Sequence, residues 1–254
     1  MSEKNDWLTV AAIGLLAMCV VTFDHEALGH GGACVALHGR ILVLSSSIFR
    51  CDRYSPLIDA AGPMTNILCG LIALAVRLIV PPRLIKLRLF LVLVTAFSFF
   101  WEGGYLIHAM HHQNGDLYSV ARWWLGTVTL FERWLGAALG LALYLLSARL
   151  TARALLALWP QAKMARSVAR TAWLSAAIGA ALAAFAYTGG LNGDLQGALL
   201  EIGVASFPLL FIPFRKQPPP NGNSVAVIVR SYPVTILALA VYALFVATLG
   251  RGLT

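Results

Sequence analysis

From Asp24 to His30 the chain reads Asp-His-Glu-Ala-Leu-Gly-His, directly after an apolar run over 7–23. Two imidazoles and two carboxylates therefore stand where the chain is still in or near lipid. A charge at bilayer depth costs roughly 2.5–3.5 kcal/mol even on the lenient insertion scales. Such groups persist where they face a protein interior, hold a metal or line a polar path. A hydrolytic zinc site asks for two histidines on one helical face, four residues apart, with a glutamate between them to polarise the attacking water. His25 and His30 are five apart. At about 100° per residue, their rings point about 140° apart on a regular α-helix. A π-bulge near Gly29 would return both rings to one face, and this is the preferred reading. Alternatively, Glu26 and His30, which are four apart, serve as ligands with His25 behind them.

Other residues capable of chemistry follow. Asn66 sits one turn beyond Gly62-Pro63, a pair that also suits the first turn of a helix. Glu102 interrupts an apolar run after Phe99-Phe100-Trp101. It reads either as a buried carboxyl, protonated or paired with an arginine, or as a proton relay or ligand. His108, His111 and His112 form a second histidine group and are alternates for a third metal ligand; otherwise they belong to a hydrated loop. His-x-x-His-His also occurs in membrane di-iron enzymes, which use more histidines than the six of this chain. A smaller dimetal site would draw on Glu26, Glu102, Asp116 or Asp194. Asn114-Gly115-Asp116 recurs as Asn192-Gly193-Asp194, which is ordinary turn chemistry.

The elements that must position these groups are membrane helices. The chain of 254 residues is 59% hydrophobic and only 12% charged, where a soluble domain carries about 25% charge. An all-α polytopic membrane protein of six to seven transmembrane helices is expected, as a single integral domain over 1–254. Expected helices cover 7–37, 58–80, 85–108, 130–156, 167–187, 195–214 and 233–249. The β-branched and serine-rich stretch 39–50 reads as a short strand or hairpin after the first helix. The polar stretch 110–122 reads as a loop that turns back, and 216–223 as a Pro-rich loop. Residues 1–6 lack the basic start of a cleaved signal peptide, so the first apolar run is expected to be retained. Small residues Ala176, Ala177, Gly179, Ala180 and Ala181 suit close helix contact. Cys19 and Cys69 lie in apolar runs as inert small residues. Cys34 and Cys51 can pair if they face an oxidising compartment.

The net charge of +8 does not indicate nucleic acid. Its cations gather between apolar runs: Arg77, Arg83, Lys86 and Arg88; Arg149, Arg153, Lys163, Arg166 and Arg170; Arg215 and Lys216. If every run spans, these connections share one side, which the positive-inside rule makes cytoplasmic. Alternation alone then carries His25, Glu26, His30, Asn66, His108, His111, His112, Asp116 and Asp194 toward the other face. The compact size and short loops suit a bacterial inner membrane.

The order of segments resembles the site-2 protease family of intramembrane zinc metalloproteases. His25-Glu26-Ala27-Leu28-Gly29-His30 is similar to that family's His-Glu-x-x-His motif with one inserted residue. The stretch 40–49 resembles its β segment, and Gly62-Pro63-Met64-Thr65-Asn66 its Gly-Pro-x-x-Asn motif. Asn114-Gly115-Asp116 resembles the later Asp-Gly-type motif, without its Pro-rich approach. The resemblance covers about residues 1–123 as a metalloprotease-like core, with 124–254 as additional helices. It implies a hydrolase that holds Zn2+ on His25, His30 and Asp116. Glu26 would be its general base and Asn66 would orient substrate or transition state. The implied substrate is a membrane-associated polypeptide. Two alternatives stay open: a metal-dependent enzyme for a lipid or small hydrophobic molecule (hydrolase or di-iron oxygenase), and a non-catalytic metal-binding relative.

Overall fold

The computed structural model describes residues 5–189, 191–211 and 226–253, with only the backbone over 191–194. The loop expected at 216–223, the end of the helix expected at 195–214 and the side chains of Asn192 and Asp194 lie outside the described residues. Among the described residues, six helices are long and apolar enough to cross a membrane: Trp7–Ala36, Pro56–Ile79, Ile85–His112, Leu130–Leu158, Ala162–Phe185 and Tyr232–Gly250. The chain is an integral membrane protein.

The first span has three parts: α1 (Trp7–Phe23), a π-helical stretch Asp24–Gly31, and α2 (Gly32–Ala36). Asp6 caps it, accepting from the Thr9 amide at 2.9 Å. A two-stranded antiparallel hairpin follows, β1 (Ile41–Leu44) and β2 (Phe49–Cys51). Its turn is shaped by the Ser45 hydroxyl, which accepts from the Ile48 amide at 2.8 Å. Cys34 and Cys51 form a disulfide with a Cα–Cα separation of 6.1 Å, tying β2 to the end of the first span. The disulfide closes a loop of sequence separation 17. Replacing both cysteines by alanine is expected to cost about 2–4 kcal/mol, measured as a lower unfolding midpoint in detergent.

Helix α3 (Pro56–Ile79) starts at Pro56 with Ser55 as N-cap, so Gly62-Pro63 lies inside the helix and not at its start. The missing amide of Pro63 leaves the Asp59 carbonyl without its helical donor. Helix α4 (Ile85–His112) runs further than the expected 85–108 and absorbs His111 and His112. Arg133 of α6 (Leu130–Leu158) caps it, donating to the carbonyls of Met110 and His111 at 2.8 and 2.9 Å. The stretch expected as a polar loop is instead a tight turn and a helix. Gln113 (φ 58°) and Gly115 (φ 94°) take left-handed backbone, and α5 (Asp116–Leu125) begins at once.

Close backbone approach holds the bundle together. A Cβ on Gly103 would lie 2.9 Å from the Gly140 carbonyl, so α4 and α6 cross almost in contact. In α7 (Ala162–Phe185), Ala172, Ala176, Gly179 and Ala180 are buried. Helix α7 packs on α1 at Gly14, and Ser175 donates to the Ala11 carbonyl at 2.8 Å. The helix expected at 195–214 is broken into α8 (Leu191–Ala198), a π-helical turn Leu199–Val204 and a 3-10 turn Phe207–Leu210. Gly197 lies against Ser47 of the hairpin turn, while Leu210 reaches Arg170 near the other end of α7. The segment thus runs between the two ends of the bundle in pieces. Gly197, Gly203 and Pro208 disfavour a regular helix. Trp173 and Arg170 of α7 donate to its Gly203 and Leu210 carbonyls, each at 3.0 Å. The last span joins α9 (Tyr232–Phe245) to a π-helical turn Val246–Gly250. Leu253 then pairs with Leu44 at the edge of β1.

Candidate metal centre

The π-helical stretch Asp24–Gly31 is hydrogen-bonded in the wider register, with the Gly32 amide reaching back to the Ala27 carbonyl. In that register, residues five apart share a face. His25 and His30 accordingly converge, their Nε2 atoms 3.2 Å apart. Glycine makes room for this. A Cβ on Gly29 would lie 2.6 Å from Gly62 Cα, and one on Gly62 would run into the His30 ring. The two helices therefore touch through backbone where the His30 imidazole is seated.

Each ring is held from behind. His30 Nδ1 lies 2.7 Å from the Ile58 carbonyl, and His25 Nδ1 lies 3.0 Å from Glu102 Oε1. A carbonyl only accepts, so His30 carries its proton on Nδ1 and turns a bare Nε2 lone pair to the centre. The Glu102 carboxylate selects the same tautomer for His25. His25 stacks on Trp101 at 4.4 Å between centroids, and His30 on Phe49 at 5.4 Å. Both planes are thereby fixed.

The third member is Asp116, at the start of α5. Its Oδ2 lies 3.4 Å from His30 Nε2 and 3.8 Å from His25 Nε2. One ligand atom from each of His25, His30 and Asp116 falls within 4.8 Å of the others. Burial pushes the Asp116 carboxyl up, but with the imidazoles protonated their hydrogen bonds and charge outweigh it and hold the group well below the usual carboxylate range. Asp116 is thus an anion. That negative charge is balanced either by protons on the two imidazoles or by a cation standing between the three groups. At zinc–nitrogen bonds of about 2.0–2.1 Å and tetrahedral angles, two nitrogens stand about 3.3 Å apart. The donor set fits such an ion.

Glu26 is 3% exposed and lines the same chamber of about 240 Å³ as the three candidate ligands. Asp59, Tyr105, Glu201 and the hairpin residues Ser47–Phe49 complete the wall; none of them carries a signal in the sequence that points there. Asn66 is not in this wall. Fully buried, it donates from Nδ2 to Glu102 Oε1 at 2.7 Å. Glu102 Oε1 thus stands between Asn66 and His25. Among the described residues Glu102 does not pair with an arginine; it accepts from both His25 and Asn66. Carboxylates behind ligating histidines typically change metal affinity 10–100-fold. Glu102→Ala is expected to weaken binding of any metal held by this group within that range, read by chelator competition, with Asn66→Ala producing a smaller loss.

His108, His111 and His112 do not join the cluster. They line a separate apolar cavity of about 550 Å³ between α4, α6 and the broken segment. The His108 and His112 rings lie with centroids 4.3 Å apart, tilted by 38°. The cavity adjoins the chamber, since Tyr105 and Glu201 belong to both walls. One face of Trp101 carries His25 while the indole also borders this cavity.

Fold and site together define a class: a helical integral membrane protein in which two buried histidines and a half-buried aspartate form a group capable of holding a metal ion. Comparison with protein-family models, curated proteins and solved structures gives no match.

Proposed function

We propose that this protein is a membrane-embedded, zinc-dependent hydrolase that cleaves membrane-associated polypeptides. The observation that carries this reading is the convergence of two Nε2 lone pairs and one carboxylate oxygen within 4.8 Å, beside a buried glutamate. His25, His30 and Asp116 would hold the ion. A zinc ion supplies Lewis acidity there, polarising a carbonyl and lowering the pKa of water toward about 7. Glu26 takes a proton from the attacking water and passes it to the leaving nitrogen as the carbon–nitrogen bond breaks. Glu102 and the Ile58 carbonyl hold the two imidazoles in the tautomer that keeps Nε2 free. The aromatic faces of Trp101 and Phe49 keep bulk water off the rings.

The Cys34–Cys51 disulfide supports a site on the non-cytoplasmic side, because such bonds persist in oxidising compartments. The basic connections at the opposite end of the bundle support the same orientation in a bacterial inner membrane. A second reading, hydrolysis of a lipid or another small hydrophobic molecule, is favoured by the adjoining apolar cavity of about 550 Å³, which is in the size range that buries a small molecule. A di-iron centre draws less support, since the three histidines at the end of α4 face that cavity and not the cluster.

Elemental analysis of the purified full chain tests the metal reading. One zinc per chain is expected, two irons would favour the oxygenase alternative, and no metal would overturn both. A panel of transmembrane peptide and lipid-ester reporters then separates the two hydrolase readings.

A further inference from the structure

The end of the bundle opposite the metal centre carries a site of another kind. Helices α4 and α9 both pack on α1, and a groove of about 600 Å³ lies between them. Ile13 and Leu16 of α1 form its floor, Phe90 of α4 one wall, and Val234 and Leu237 of α9 the other. Arg83 and Lys86, at the turn into α4, stand in the same lining. Neither has a carboxylate within ion-pair distance among the described residues. Asp6, at this end of α1, is already engaged by Arg230 at 3.1 Å. Arg77 and Arg88 add two more cations close enough to act on one another. Each of these two also has a buried Nε without a hydrogen-bond partner among the described residues.

An apolar trough headed by unmatched cations complements one kind of molecule abundant around a membrane helix. Hydrocarbon fills the trough without leaving any polar group unsatisfied. A phosphate at its head meets the cations, and basic pockets between helices on the cytoplasmic side recognise anionic headgroups. We propose that this groove binds an anionic phospholipid, with the phosphate on Arg83 and Lys86 and an acyl chain along Ile13, Leu16, Phe90 and Leu237. Each basic contact near the surface favours an anionic lipid by about fivefold, so the pair gives about thirtyfold.

Native mass spectrometry of the full chain, released from detergent with graded phosphatidylglycerol or phosphatidylcholine of matched chains, reads this directly. Phosphatidylglycerol is expected to be retained about thirtyfold more tightly. The double variant Arg83→Gln, Lys86→Gln should lose that preference while still binding both lipids weakly. Leu16→Trp, which fills the trough, should lower retention of both lipids alike. The thermal midpoint of each variant without added lipid checks that it folds. Equal retention of the two lipids by the unaltered chain, or a preference that survives the double substitution, overturns the proposal. None of these readouts depends on metal content or hydrolysis.

Discussion

Glu26→Gln is expected to leave zinc content at one per chain while slowing hydrolysis by about 10²–10⁴-fold, the usual range for a positioned general base. The amide keeps the size of the carboxyl and loses only its ability to take a proton. Glu26 is 3% exposed and lies on the π-helical stretch between the two histidines, so a same-size replacement disturbs packing least. The result also separates two roles. If Glu26 were a ligand paired with His30, the substitution would lower metal content together with rate. The convergence of His25 with His30 and Asp116 favours the first role. Metal content measured on the same sample as the rate decides between them, and undiminished hydrolysis would remove Glu26 from the reaction.

Asp116→Ala is expected to bring zinc down to background after purification, while the double variant His111→Ala, His112→Ala retains one zinc per chain. Removing Asp116 takes away one of three donors and the only carboxylate among them, leaving two imidazoles 3.2 Å apart. The exchanged pair at the end of α4 lies in the other cavity. Elemental analysis of the two variants side by side is the measurement, and the reverse pattern would move the third ligand to the histidine group. The acid response follows with its sign. The folded-state pKa of Asp116 is depressed, so the stabilisation it provides is complete above the ordinary carboxylate pKa of about 3.9. It is lost only as pH falls through the still lower folded value. Metal release in mild acid is therefore set by protonation of the imidazoles and not by Asp116.

The sequence carried the parts of this site that are written locally. His25, Glu26 and His30 stand out as polar groups against an apolar run, and Gly29 marks where a wide turn can bring both rings to one face. The hairpin showed in the change from helical period to serine and β-branched residues. What could not be read depends on contacts between distant segments. Glu102 announced a buried carboxyl, but its partners are 77 and 36 residues away. Asn66 was visible as an amide near a helix start, yet only packing shows that Glu102 separates it from His25. Asp59, Tyr105 and Glu201 occupy helical positions with no distinguishing spacing. Helix α4 ran past its expected end because Arg133, across the bundle in α6, satisfies its last carbonyls. The helix expected over 195–214 is interrupted, since Gly197, Gly203 and Pro208 disfavour a regular helix. Side chains of α7 meet its exposed carbonyls, which lets an interrupted backbone lie among the spans.

The wide turn at Asp24–Gly31 changes what a pattern search ought to measure. A fixed gap of letters between two histidines is a proxy for a shared bearing around the helix axis. One added letter breaks the proxy and keeps the bearing, because the backbone absorbs it by widening a single turn. Patterns scored on azimuth, with glycine beside the second histidine as permission to widen, would retrieve such chains where gap counting passes them by.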